Sequence, residues 1–236
     1  MADLIDNGDV VYHGLTSPLP VLAMVFARRI LKRDFTWASV IEHIEPIVEK
    51  VKLKPSTGDP YVEPEPLGIL TTIDAFDIAA KGKLTTMFFG AAQVDEEGNI
   101  NLTVIGDYDK PRVKLPGGAA TAYLFPLVPK IILWARHEPR VLVRHVDFIT
   151  GPGRLRIEKG FKHLLCTNKA LIEFTSKGPV LRRLLPGASI DDVLKSASMR
   201  IIVPDKVDVL EPVSEEEMKV IEEHDPQGIR YLQKMG

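Results

Sequence analysis

The sequence is short of most features that would commit it to a special class. Cys166 is the only cysteine in 236 residues, so no internal disulfide forms, a cysteine-based zinc site fails, and a reducing compartment is expected. Neither sign of charge prevails: 30 Lys and Arg stand against 32 Asp and Glu, a net of -2, and without a strongly basic block the footprint of a nucleic-acid binder is missing. No apolar run reaches bilayer length. The longest, VLAMVFA at 21–27, is too short to span, and the acidic start MADLIDNGDV lacks the basic and apolar regions of a secretory signal. A cytoplasmic protein with no nucleic-acid and no membrane partner is expected. Phosphate loops, paired-histidine metal helices and Gly-x-Ser-x-Gly elbows are also missing, and the histidines at 13, 43, 137, 145, 163 and 224 are scattered. Kinases, zinc hydrolases and serine hydrolases therefore lose ground, and no metal site is expected.

What remains is an ordinary globule, with 45% hydrophobic and 26% charged residues. A chain of this length buries about 70% of its extended surface and needs no staple. One domain over 1–236 is expected, since no repeat or linker interrupts it. Val10 to Tyr12 reads as a strand, and Ser17-Pro18 opens an apolar helix over 19–31 whose last turn is basic. A second strand at Thr36 to Ile41 makes a βαβ unit. The Pro- and Gly-rich text KLKPSTGDPYVEPEPLG lies in a surface excursion from Pro46 to Gly68. A helix fits Ile69 to Ala80. Hairpins are expected at 85–105 around Gly98 and at 163–175 around Asn168-Lys169, with another strand at Lys130 to Ala135. Helices capped by Ser189 and Ser214 follow at 190–195 and 215–223. The alternation of strands and helices makes the fold α/β with a mixed sheet.

Four features invite a chemical reading, each beside a plainer one. Small residues Gly90-Ala91-Ala92 precede Gln93, Asn99 and Asn101, whose amides suit ligand contacts or merely satisfy a tight hairpin. Leu115-Pro116-Gly117-Gly118-Ala119-Ala120-Thr121 leads into a helix expected over 120–127. Its free N–H groups suit an oxyanion, and helix–sheet packing explains the turn equally well. Glu42 ends a strand where α/β sheets place sites, and a carboxylate there can be a nucleophile. Against that, Glu42, Glu45 and Glu49 fall at helical spacing, and a solvated helix face with Pro46 in its first turn is the favoured reading on residues alone. Finally, Arg136-His137-Glu138-Pro139-Arg140, followed by Arg144, His145 and Asp147, suits phosphates or a second protein chain, with a solvated charged loop as the default.

Over essentially its whole length the chain resembles the beta subunit of family I CoA-transferases, closest to the glutaconate CoA-transferase type. The segments that carry this are GDVVYHGLTSPLPVLA, FFGAAQVDEEGNINLTVIGDYDKPRVKLPGG, RHEPRVLVRHVDFITGPG, and LLPGASIDDV with EPVSEEEMKVIEEHDPQGIR. The resemblance implies an open mixed α/β sheet, mainly parallel, with helices on both faces and inserted hairpins. It also implies an alpha subunit as partner, a site at the junction of the two chains, and no permanently bound cofactor, coenzyme A esters and carboxylic acids being the substrates. A glutamate of the beta subunit carries CoA as a thioester in a ping-pong exchange.

Counting back from Gly58-Asp59-Pro60 places that glutamate on Glu42. The same resemblance gives Gly117, Gly118 and Ala119 the thioester, Gly14 and its turn a wall of the pocket, and Gln93, Asn99 and Asn101 the carboxylate or the pantetheine arm. The chain departs from the family at several of these points. His43 and Ile44 follow Glu42 where the family has a small residue and glycine. Thr16 stands for the second glycine of the first loop, Ala119-Ala120 for a glycine pair, and Ala197-Ser198-Met199 for Thr-Gly-Phe. Those losses keep two alternatives open. One is a CoA-ester ring-opening hydrolase subunit of steroid-degradation type, its acting glutamate on the alpha chain; the other is a non-catalytic structural partner.

Overall fold

The structure, a computed structural model, describes residues 1–232. The chain packs as two compact units, residues 1–89 with the stretch from Val213 onward, and residues 90–212.

The first unit opens with the expected parallel pair. β1 (Val10–His13) leads through α1 (Pro18–Arg29) to β2 (Thr36–Ser39), in register from Val10 opposite Thr36 to His13 opposite Ser39. The apolar stripe of α1, including Val21, Met24, Val25 and Ala27, is fully buried, which is what orders a helix without an acidic first turn. Ser17 sits at the N-cap but does not cap: its hydroxyl turns back to the Leu15 carbonyl at 3.1 Å, and the prolines at the start remove orphan N–H groups instead.

β2 stops at Ser39, short of the expected Ile41, because the Glu42 N–H closes a turn onto the Ser39 carbonyl at 3.0 Å. That turn corrects the helical reading of 42–49. Glu42 and Glu45 take φ of +65° and +51°, outside any helix, and His43–Ile44 form β3, antiparallel to β2. The long excursion is present, with single turns at Val48–Lys50 and Pro60–Val62, and it is anchored by buried Val51, Leu53 and Val62. β4 (Gly68–Ile69) pairs antiparallel with β3. The next helix therefore starts later than Ile69. α2 (Thr72–Ala80) begins at a capping box of Thr71 with Asp74, and β5 (Thr86–Gly90) lies parallel to β1 on the side opposite β2.

In the second unit the expected hairpin of 85–105 is broken into pieces. β6 (Gln93–Val94) pairs with β7 (Ile100–Asn101) across a turn where Gly98 has φ +73°. β8 (Val104–Gly106) pairs with the unexpected β9 (Pro111–Lys114), whose four exposed residues give no alternating pattern to read. α3 covers only Thr121–Leu124 instead of 120–127. Pro126, whose ring cannot continue a helix, bounds it. β10 (Lys130–Trp134) precedes α4 (Gly153–Glu158) and runs parallel to β11 (Lys162–Cys166), which forms the expected antiparallel hairpin with β12 (Ala170–Thr175). β13 (Gly178–Leu184), α5 (Ile190–Lys195) and β14 (Asp208–Val209) follow, with the Ser189 capping box in place. α6 (Glu215–His224), boxed by Ser214 and Glu217, and α7 (Ile229–Leu232) return to the first unit, where α6 packs on α1. The fold is α/β with mixed sheets, and among the described residues no helix is long and apolar enough to cross a membrane.

Two of the basic side chains buried in the second unit lie side by side. Arg156 of α4 is fully buried and donates to the carbonyls of Phe125, Val128 (2.7 Å), Pro129 (3.4 Å) and Lys162 (3.0 Å). Its four acceptors close the loop before β10 and the start of β11 onto α4. Beside it, the buried ring of His163 stacks edgewise on Phe125 and Phe174 at 5.3 and 5.0 Å, and neither ring nitrogen has a partner among the described residues. Burial, helped by the Arg156 charge, holds the His163 pKa well below the ordinary value. At pH above about 6.5 neither the folded nor the unfolded form is protonated there; below it the unfolded chain takes a proton the folded one refuses, so stability falls with pH. Opposite outcomes are expected for these neighbours. Arg156→Leu orphans four carbonyl contacts and lowers unfolding free energy by about 3 kcal/mol or more. His163→Leu is near neutral at pH 7 and gains about 1–2 kcal/mol over the native chain at pH 5. Urea melts at the two pH values check both.

Candidate functional site

In the first unit the candidate residues gather where β1 and β2 end together. The carbonyl of His13 accepts from the Val40 N–H at 3.1 Å, so Gly14 and the turn at 40–42 leave the sheet side by side. Glu42 is fixed from three sides. Its N–H bonds Ser39, its carbonyl accepts from the Leu70 N–H at 2.9 Å, and its Oε1 accepts from the N–H (2.8 Å) and hydroxyl (3.0 Å) of Thr72, the first residue of α2. Those two Thr72 donors hold the Glu42 carboxyl below its ordinary pKa, outweighing the negative Asp74 nearby. Oε2 has no hydrogen bond among the described residues. The carboxylate is thus ionised, oriented through one oxygen and open at the other, the state a carboxylate nucleophile requires.

Beneath this turn lies a buried polar cluster that no sequence pattern announces. Glu63, fully buried, accepts at Oε1 from the Trp37 indole N–H at 2.9 Å and contacts His13 Nε2 at the same oxygen. Its own carbonyl accepts from His43 Nδ1 at 2.8 Å. Burial resists ionisation of Glu63, but the His13 charge and these hydrogen bonds outweigh it and hold its carboxyl below the ordinary range. Tyr12, buried and facing the negative charges of Glu42 and Glu63, is pushed up to about 12 and stays a neutral phenol. Only the scattered histidines hint at this layer; Glu63 sits in VEPEP, which reads as solvated. Gly14, half-buried, takes part through its carbonyl, which accepts from His13 Nδ1 at 3.1 Å and the Thr57 hydroxyl at 3.3 Å.

In the second unit Gln93 and Asn101 stand opposite each other in the β6–β7 pair, and Asn99 lies in the turn before β7. Their amides are committed internally. Asn101 Nδ2 donates to Gln93 Oε1 (2.7 Å) and to the Val104 carbonyl, Gln93 Oε1 also accepts from the Asp147 N–H, and Asn99 joins Asp95 to the Gly153 N–H. All three side chains are buried. These bonds tie the β6–β7 pair to Val104, Asp147 and Gly153. The Gly117-Gly118-Ala119 turn is different. A Cβ at Gly117 would meet nothing within 4 Å, one at Gly118 would strike Thr150 at 2.6 Å, and Ala119 holds φ +43° despite its methyl group. The turn is therefore open on one side and tight on the other. Arg136, Glu138 and Arg140 form a partly exposed ion-pair chain, while His137 is buried between Thr167 and the Val193 carbonyl at 2.9 Å each, a structural role.

Two of the departures noted in the sequence, and Glu42 itself, coincide with backbone strain. Thr16, Glu42 and Ala119 all have positive φ, at +54°, +65° and +43°. Each costs on the order of 1–2 kcal/mol relative to glycine, and such strain gathers at functional loops.

The family model for coenzyme A transferase matches residues 1–196. Among curated proteins, the chain is 33% identical over 151 residues to the beta-type chain of 3-oxoadipate CoA-transferase from Pseudomonas knackmussii, covering 63% of this chain and 56% of that one. It is 27% identical over 165 residues to the cholesterol ring-cleaving hydrolase IpdB subunit from Rhodococcus jostii, covering 66% and 65%. The chain thus spans less than two thirds of the length of these relatives. Among solved structures, the decarboxylase AibA/AibB matches with a TM-score of 0.87 and 31% identity over 98% of this chain and 93% of that one. Glutaconate coenzyme A-transferase from Acidaminococcus fermentans matches with 0.82 and 25% identity over 95% and 91%.

Thr72→Pro tests the Glu42 clamp. Proline at the first helical position leaves α2 intact while removing both donors. The Glu42 carboxyl is expected to titrate at higher pH than in the native chain, as followed by carboxyl-carbon NMR.

Proposed function

The chain belongs to the coenzyme A transferase family, and from that premise we propose that it is the beta subunit of a two-chain CoA-transferase in which Glu42 is the nucleophile. The observation that carries this reading is the Glu42 carboxylate: ionised by the Thr72 donors, set on a positive-φ turn at the end of β2, and unbonded at Oε2. The carboxylate oxygen attacks the thioester carbonyl of an acyl-CoA, the C–S bond breaks, and CoA leaves as thiolate. The thiolate then attacks the glutamyl carbonyl of the resulting anhydride, releases the first carboxylate, and leaves a Glu42–CoA thioester. A second carboxylic acid reverses the sequence and departs as its CoA ester. Each step exchanges one leaving group for another at an activated acyl carbon, which is why a carboxylate suffices.

Gly117, Gly118 and Ala119 are the residues of this chain proposed to meet the thioester, because the N–H groups of Gly118 and Ala119 have no hydrogen-bond partner among the described residues, while that of Gly117 is held by the Leu102 carbonyl at 2.8 Å. Gly14 lines the pocket. Gln93, Asn99 and Asn101 contribute by holding their loops. Two curated relatives are named for CoA transfer to dicarboxylic acids, 3-oxoadipate and glutaconate, which makes dicarboxylic acyl-CoA esters the first substrates to try. The partner is an alpha subunit.

A second reading is favoured by one feature: the Thr72 clamp also makes Glu42 a side-chain cap of α2. In this reading the chain supports an acting glutamate on the alpha chain, as a CoA-ester hydrolase subunit or a purely structural partner. The two readings part in one experiment. The complex with its alpha subunit is incubated with glutaryl-CoA, reduced with borohydride, and the Glu42 peptide is weighed. A reduced glutamyl mark is expected on Glu42, and Glu42→Ala is expected to lower exchange at least about a thousandfold. Unmarked Glu42 with the CoA ester consumed puts the second reading in its place.

A further inference from the structure

His13 and Glu63 are both fully buried, and each nitrogen of the His13 ring faces an oxygen. Nδ1 lies 3.1 Å from the Gly14 carbonyl, which has no proton to give, so Nδ1 carries one and donates it. Nε2 is engaged by Glu63 Oε1, which fixes the ring plane, and the Trp37 indole N–H holds that oxygen in turn. The Thr57 hydroxyl gives the Gly14 carbonyl a second donor at 3.3 Å. The Gly14–Leu15 peptide is therefore pinned by its oxygen, from the inside.

In a trans peptide the N–H points opposite the C=O. With its carbonyl turned into the buried cluster, this peptide turns the Leu15 N–H outward. Leu15 and Thr16 are exposed, and neither N–H has a hydrogen-bond partner among the described residues. The next N–H, that of Ser17, is taken by Thr57 Oγ1 at 2.9 Å. A Cβ on Gly14 would meet nothing within 4 Å, so there is room beside the outward donor. Thr16 at φ +54° turns the chain sharply after it, and successive N–H groups at such a turn form a concavity suited to negative charge. The place is the right one for the reaction proposed above: His13 is in register with Ser39, so this peptide and the Glu42 turn leave neighbouring parallel strands at the same end.

We infer that the buried Glu63–His13 pair, with Thr57, sets the Gly14–Leu15 peptide so that the Leu15 N–H donates to the oxyanion formed when a thioester carbonyl is attacked. This rests on the reading that Glu42 is the attacking group. As the bond from the Glu42 oxygen to the carbonyl carbon forms, the carbonyl π pair moves onto oxygen; the Leu15 N–H stabilises that charge until the C–S bond breaks and CoA departs as thiolate. Leu15 supplies the donor, and Glu63, His13 and Thr57 are positioning residues. A pair that only pinned the long loop could be an apolar contact of the same size, which buries no polar group and costs less.

The test uses the two-chain complex, with glutaryl-CoA and acetyl-CoA as donors and the borohydride mark on Glu42 as readout. Replacing Leu15 by its α-hydroxy acid turns the amide N–H into an ester oxygen and leaves the side chain. That change is expected to lower kcat for acylation about 100- to 1,000-fold, with KM little changed because the donor acts in the transition state. Glu63→Gln and Thr57→Val each loosen one hold on the Gly14 carbonyl and are expected to lower kcat about tenfold or more at unchanged KM; they decide the question if the ester variant fails to assemble. Native kcat in these variants, or a loss confined to KM, overturns the inference and leaves Glu42 standing as nucleophile. Absence of any mark on Glu42 in the native complex overturns both.

Discussion

The architecture of the first unit depends on one buried carboxylate. Glu63 belongs to a long excursion with little regular structure, yet its side chain reaches into the core and joins the end of β1 through His13 to the middle of β2 through Trp37. Its backbone carbonyl takes the His43 ring and so adds β3. Burying a charge in this way is costly, and the cost is offset only while every partner is present. The excursion therefore has one position, and with it Thr57, Gly14 and the strand ends beside Glu42 have one position as well. A loop of this length held only by Val51, Leu53 and Val62 would be free to slide, because apolar contacts are not directional.

Against that fixed frame, the lost glycines of the family pattern take on a definite meaning. Glycine at a left-handed position serves the backbone, and a substitution there is expected to reshape the loop. Thr16 and Ala119 hold positive φ, a conformation glycine adopts freely and these residues adopt only with strain. Surrounding contacts must hold each of them, and for Thr16 these are visible in the adjacent Ser17 N–H bonded to Thr57. His43 and Ile44 after Glu42 are accommodated differently. They become β3, and their pairing with Gly68 and Ile69 brings the start of α2 to the Glu42 carboxylate.

The parts that could be read from sequence are those governed by local chemistry. The cap at Ser189, the capping box at Ser214, the glycine turn at 98, the hairpin around Asn168 and the opening βαβ unit follow from neighbouring residues and stand nearly where expected. Glu42 is legible only through the family pattern, since spacing alone favours a helix over 42–49. A helical repeat of acidic residues has no way to signal that two of them adopt positive φ. The His13–Glu63 contact joins residues fifty positions apart, and no local rule reports it. The amides of Gln93, Asn99 and Asn101 show the converse limit: their types suit a ligand, and only packing reveals that their hydrogen bonds are already spent.

The Thr72 clamp bears on the energetics of the proposed reaction in both directions. Two donors at a helix start favour the carboxylate of Glu42 over any neutral form, which guarantees ionisation but lowers the energy of the resting state. Acylation converts Glu42 into an anhydride and then a thioester, both uncharged at that carbonyl, so each covalent state loses most of the clamp's stabilisation. That loss leaves the intermediates uphill from the free carboxylate and therefore ready to pass their acyl carbon to the next nucleophile. Without compensation it would also slow the first attack. A second donor placed where charge appears in the transition state, and absent from the Thr72 arrangement, is what would recover the rate without trapping the intermediate. The outward Leu15 N–H, fixed from beneath by Glu63 and His13, has that property because it meets the substrate's oxygen and not the enzyme's own carboxylate.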